Sequence, residues 1–70
     1  MNNFEALPVD ELLKIAEQGN AEAQTILGVR YQKGEAVPED LEKAVYWFTK
    51  AAEQGFADAQ NRLGVRYFYG

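Results

Sequence analysis

Nineteen residues of this chain occur twice. Ala16 to Gly34, A-E-Q-G-N-A-E-A-Q-T-I-L-G-V-R-Y-Q-K-G, returns at Ala52 to Gly70 as A-E-Q-G-F-A-D-A-Q-N-R-L-G-V-R-Y-F-Y-G. Aligned from Lys14 to Gly34 against Lys50 to Gly70, the copies agree at 14 of 21 positions with an offset of 36, where average residue usage would give about one or two. Repetition at this period means stacked supersecondary units, each burying its apolar face against the next, rather than a sheet or a globule around one centre. The expected fold is therefore all-α, a superhelical solenoid of about four antiparallel helices.

Seventy residues are close to the lower limit at which one apolar core leaves net stability. The 47% hydrophobic and 26% charged content is that of an ordinary folded domain. No apolar run approaches a membrane span, and the first residues lack the basic start and apolar core of a signal peptide, so a cytoplasmic protein with no membrane partner is expected. The net charge of −4 opposes a phosphate backbone, which argues against nucleic acid. Cys, His and Ser are all absent. That removes disulfides, the commonest general base, the commonest nitrogen metal ligand and the commonest hydroxyl nucleophile together.

Along the chain, residues 1–6 are expected to be frayed and 1–7 to form a tail. Pro8, followed by Asp10 and Glu11, reads as a helix start, because its ring presets the first helical dihedral and acids favour the positive end of the dipole. That helix spans about 8–18, with Val9, Leu12, Ile15 and Ala16 on one face, Leu13 beside them, and Gly19 as its left-handed stop. Asn20 caps a second helix over 21–33, whose Ala23, Leu27 and Tyr31 share a face next to Gly28. A mid-helix glycine costs about 1 kcal/mol against alanine, so its recurrence as Gly64 implies a close crossing where no side chain fits. Gly34 to Pro38 breaks the period as a loop. Asp40 then caps a third helix over 41–54, with Leu41, Ala44, Phe48 and Ala51 or Ala52 inward and Val45 and Trp47 flanking, and Gly55 ends it. A fourth helix over 57–69 repeats the second through Ala59, Leu63, Gly64 and Tyr67, with Phe56 in place of the Asn20 cap. The chain stops where the first copy turned toward the third helix. Leu63, Tyr67 and Phe68, with Val65, are accordingly expected to lie uncovered and to drive self-association.

The run A-x-A-Q-x-x-L-G-x-x-Y-x-x-G at Ala21 to Gly34, followed by D-x-x-K-A-x-x-W-x-x-K-A-A-E-Q-G at Asp40 to Gly55, closely resembles the Sel-1-like repeat, a relative of the tetratricopeptide repeat. The resemblance divides the domain at 8–70 into the second helix of a partial repeat (8–19), a complete repeat (20–55) and the first helix of a following one (56–70). It implies a right-handed superhelix of helix pairs that serves as an adaptor for protein–protein contacts, with no catalytic residues, no cofactor and no metal. Some cysteine-rich members of the family have been described as β-lactamases; this chain has neither their paired cysteines nor a serine to acylate.

Other constellations have plainer readings. Glu35, Glu39, Asp40 and Glu42 lack the spacing that wraps calcium and suit the start of a helix. Glu17 with Glu22, and Glu53 with Asp58, recur with the repeat, as a solvated surface does and an active site would not. Tyr46, Trp47 and Phe48, and Tyr67, Phe68 and Tyr69, lack the basic groove that a base-stacking platform needs. Two functions follow from the fold. The first is a module that holds a peptide or protein in the concave groove of the first helices. The second is a structural piece that completes its core with another copy, as a homodimer or swapped assembly. If Leu27, Gly28 and Tyr31 face the core, the opposite stripe is Glu22, Thr25, Val29 and Lys33, matched by Asp58, Asn61, Val65 and Tyr69. In tetratricopeptide-like units these positions line the groove. The stripe suits a ligand with an apolar anchor near Val29 and Val65 and basic groups near Glu22 and Asp58.

Overall fold

The computed structural model describes residues 4–69, with side chains for Phe4 and for residues 6–63. A 3₁₀ turn, Phe4–Ala6, precedes four α-helices: α1 (Val9–Glu17), α2 (Ala21–Lys33), α3 (Leu41–Glu53) and α4 (Ala57–Tyr69). No strand occurs among the described residues. Each helix packs on the next, most extensively α2 on α3, as short connections between antiparallel neighbours require.

The helix ends follow from local chemistry. Asn20 Oδ1 accepts from the Ala23 amide at 2.9 Å and Asp40 Oδ1 from the Lys43 amide at 3.1 Å, each satisfying an amide that the helix cannot pair internally. Pro8 stands one position before the helix and leaves its carbonyl to accept from the amides of Glu11 and Leu12. Gly34 closes α2 at φ 73°, where its amide and that of Glu35 both donate to the Arg30 carbonyl. The loop that follows is tied back by the Asp40 amide, which donates to the Tyr31 carbonyl at 2.9 Å. Because the Asn20 bond is a neutral cap at a half-exposed helix start, Asn20→Ala is expected to cost about 1 kcal/mol, measured as a shift of the urea midpoint at unchanged slope.

The core forms where these helices meet. Leu12, Ala16, Ala23 and Leu27 are buried, with Trp47 closing the cluster from α3. Ala44, Phe48 and Ala51 line the inner face of α3, and Ala59 repeats Ala23 on α4. Gly28 is the contact point between α2 and α3: a Cβ built there would lie 2.6 Å from Phe48 Cε1. The equivalent at Gly64 falls outside the described side chains.

Two features differ from the periodicity. Phe4 is buried in the core cluster rather than frayed, because the 3₁₀ turn folds it back onto the apolar face shared by α1 and α2. Burying one large aromatic gains about 1.5–3 kcal/mol, enough to order a turn too short to leave a periodic signature. Leu41, expected inward, is 37% exposed; it is the first residue of α3, ahead of the buried stretch of that helix from Ala44 to Ala51.

A glutamine amide staples each three-residue turn, buried in the first copy and exposed in the second. Gln24, only 3% exposed, donates from Nε2 to the Ala16 carbonyl at 2.9 Å and accepts at Oε1 from Gln54 Nε2 at 3.0 Å. The same bond recurs 36 residues later, Gln60 Nε2 to the Ala52 carbonyl at 3.1 Å. The repeated glutamine thus ties the end of one helix to the body of the next, and a buried amide with both ends engaged fixes their relative position.

Candidate functional site

On α2 the core residues Ala23, Leu27 and Gly28 occupy one side, and Thr25, Ile26, Val29 and Lys33 the other, as 100° per residue dictates. Across from that second side stand Asp58 and Arg62 of α4. Between them lies an open groove of about 370 Å³, lined by Thr25, Ile26, Val29, Arg30, Lys33, Glu35, Asp58 and Arg62.

Its floor is apolar and partly closed. Thr25 is 3% exposed, with its hydroxyl proton donated to the Ala21 carbonyl one turn back. Ile26 packs against the core cluster, and Val29 is half-buried. The walls are charged. Arg62 Nε lies 3.3 Å from Asp58 Oδ1, one helical turn away, an ion pair by distance whose angle makes no hydrogen bond. On a surface this open such a pair contributes a few tenths of a kcal/mol at about the median for exposed pairs. Its consequence is electrostatic: Asp58 is already matched within the protein.

Of the eight stripe residues expected from sequence, the groove brings together Thr25, Val29, Lys33 and Asp58. Glu22 and Asn61 are exposed and do not line it, while the side chains of Val65 and Tyr69 lie outside the described residues. The self-association residues divide similarly: Leu63 is half-buried, and Tyr67 and Phe68 lie outside the described side chains. Ile26, Arg30, Glu35 and Arg62 line the groove without having been expected there. A signal for two of them was present in the repeat, where Ile26 is matched by Arg62, an apolar residue exchanged for a cation.

That exchange is part of a pattern. The two copies differ at seven aligned positions, and five groove residues come from them: Thr25, Ile26, Lys33, Asp58 and Arg62. A second depression of about 440 Å³, between the α1–α2 turn and α3, is lined by Ala16, Glu17, Gly19, Gln24, Tyr46, Trp47 and Lys50. There the aligned residues Ala16, Glu17, Gly19, Gln24 and Lys50 are all identical to their counterparts. Tyr46, 53% exposed, stands edge-on to Trp47 with ring centroids 5.0 Å apart and is covered by the Lys50 ammonium at 5.1 Å. The second depression thus draws its aligned residues from positions the two copies share, and the groove draws most of its residues from positions where they differ.

Among the described residues no cluster of acids, His or Cys could hold a metal ion, and no helix is long and apolar enough to cross a membrane. The all-helical architecture and the 36-residue unit meet in the comparison with known families, where the Sel1 repeat model matches residues 21–56 and again 57–70. The chain belongs to the Sel1 repeat family. The Sel1-repeat-containing protein YbeQ of Escherichia coli (strain K12) is 48% identical over 47 residues, covering 64% of this chain and 14% of that protein. The chain thus spans a small part of the length of this curated relative. No solved structure gives a significant match. Sel1 repeats are in general protein–protein interaction modules and non-catalytic scaffolds. The first Sel1 match covers α2 and α3, and the second begins at α4.

Proposed function

We propose that this Sel1 repeat chain binds a peptide or a segment of a partner protein along the groove between α2 and α4. The observation that carries the reading is the contrast between the two depressions: the aligned residues of the second are identical from copy to copy, while five of the groove's residues, Thr25, Ile26, Lys33, Asp58 and Arg62, come from positions that differ. Each solenoid unit meets the same neighbours, so packing positions are held alike, and a surface that reads a ligand is where units gain individual character. An apolar floor of Thr25, Ile26 and Val29 with charged walls also has the composition of a peptide groove, where buried carbon gives affinity and the rim gives selection.

A groove of this size buries less than a standard interface, so affinity on the order of micromolar or weaker is expected for an isolated peptide. The test is to select short peptides on the intact chain by display and map the bound state by amide shifts of the isotopically labelled protein. Perturbation of Thr25, Val29, Lys33 and Asp58 is the expected result. Shifts confined to Glu42, Tyr46 and Lys50, on the outer face of α3, would place binding on the other side and reject the groove.

A further inference from the structure

The charge lining the groove is opposite in sign to that of the molecule around it. Arg30, Lys33 and Arg62 face Glu35 and Asp58, a local balance of +1 in a chain of −4. Of the two carboxylates, Asp58 is not an open site for a cation. Asp58 has Arg62 at 3.3 Å, and Glu22, the other acid of the expected stripe, does not line the groove. The repeat places a cation where its first copy has Ile26, so the α4 wall gains charge and the α2 floor stays apolar.

We propose that the occupant of the groove is an acidic peptide segment, with an apolar side chain over Ile26 and Val29 flanked by Asp or Glu carboxylates directed at Arg62 and Lys33. This rests on the groove reading above and adds the chemistry of the ligand. Guanidinium is suited to the task because its planar fork offers a carboxylate two donors at once. Arg62 can turn part of that fork to a ligand while its Nε remains beside Asp58, since its side chain is 38% exposed. The net charge of −4 adds selection rather than affinity: it disfavours an acidic segment in general, so the cationic groove lining sets where such a segment rests.

The test uses the intact chain and three synthetic peptide pools that share a central Leu and differ in flanking positions: Asp, Glu and Ala in the first, Lys, Arg and Ala in the second, and Ala alone in the third. The acidic pool is expected to shift the amides of Thr25 to Lys33 and Asp58 to Arg62, with affinity falling as salt is raised. Arg62→Glu should weaken that binding by about tenfold or more while the helical circular dichroism is retained. Lys33→Glu, at an exposed position outside the core, tests the same wall independently should the first variant lose helix. Equal or tighter binding of the basic or the uncharged pool at the same amides would overturn the acidic ligand and leave the groove standing. Failure of all three pools to move those amides would overturn both.

Discussion

Trp47→Ala is expected to leave the chain largely unfolded at room temperature. Trp47 is 7% exposed and closes a cluster made by Leu12, Ala16, Ala23 and Leu27, so it carries α3 into the α1–α2 interface. Truncating a buried large aromatic costs about 3–5 kcal/mol, the sum of lost transfer energy and an incompletely collapsed cavity. A domain of 70 residues has roughly that much net stability altogether. Far-UV circular dichroism during a thermal scan decides the matter: a weak, non-cooperative signal is expected, and a cooperative melt near the parent's would remove Trp47 from the core. Trp47→Phe, which keeps an aromatic ring in the cluster, should retain a melt at lower temperature.

Gly28→Leu is expected to be comparably damaging for the opposite reason. At this crossing even a methyl carbon would stand 2.6 Å from Phe48 Cε1 and 2.7 Å from Cδ1, so either α2 and α3 separate or the Phe48 ring leaves its place. Overpacking usually costs about 1–3 kcal/mol, and a four-carbon side chain where one does not fit belongs at the upper end or beyond. Gly28→Ala isolates the steric part. The substitution gains about 1 kcal/mol of helix propensity, so any net loss of stability measures the clash after that gain is offset. Combining it with Phe48→Leu should recover part of the loss, and urea melts of the four variants give the coupling directly. Simple additivity would show that Gly28 is not held by its contact with Phe48.

The amino-acid pattern alone points to both positions, Trp47 through its helical period and Gly28 through repetition. Glycine in the middle of a helical period is unfavourable by itself, and its recurrence at the same offset marks it as a packing residue. Local chemistry likewise identifies the caps Asn20 and Asp40, whose side chains have few other uses at a helix start. Pattern gives less at the site. Thr25, Val29 and Lys33 follow from the angle per residue along α2 alone, and Asp58 from its place in the second copy. Arg62 and Ile26 are visible only as a mismatch between copies, and Arg30 is identical in both. Glu22 and Asn61 share the stripe by helical angle yet do not line the groove, because its extent is set by how α4 lies beside α2 and not by either helix alone.

The helices, their order, the Sel1 repeat and the apolar faces are legible in the residues alone, because each depends on interactions within about one turn or on a pattern that recurs with the unit. Helix packing set the rest. It folded Phe4 onto the core, turned Leu41 outward, engaged Gln24 as a staple and set Arg62 beside Asp58, which gave the groove its cationic wall. Those outcomes depend on the relative position of helices, and a one-dimensional period specifies which face of each helix is buried without specifying where along its neighbour that face comes to rest.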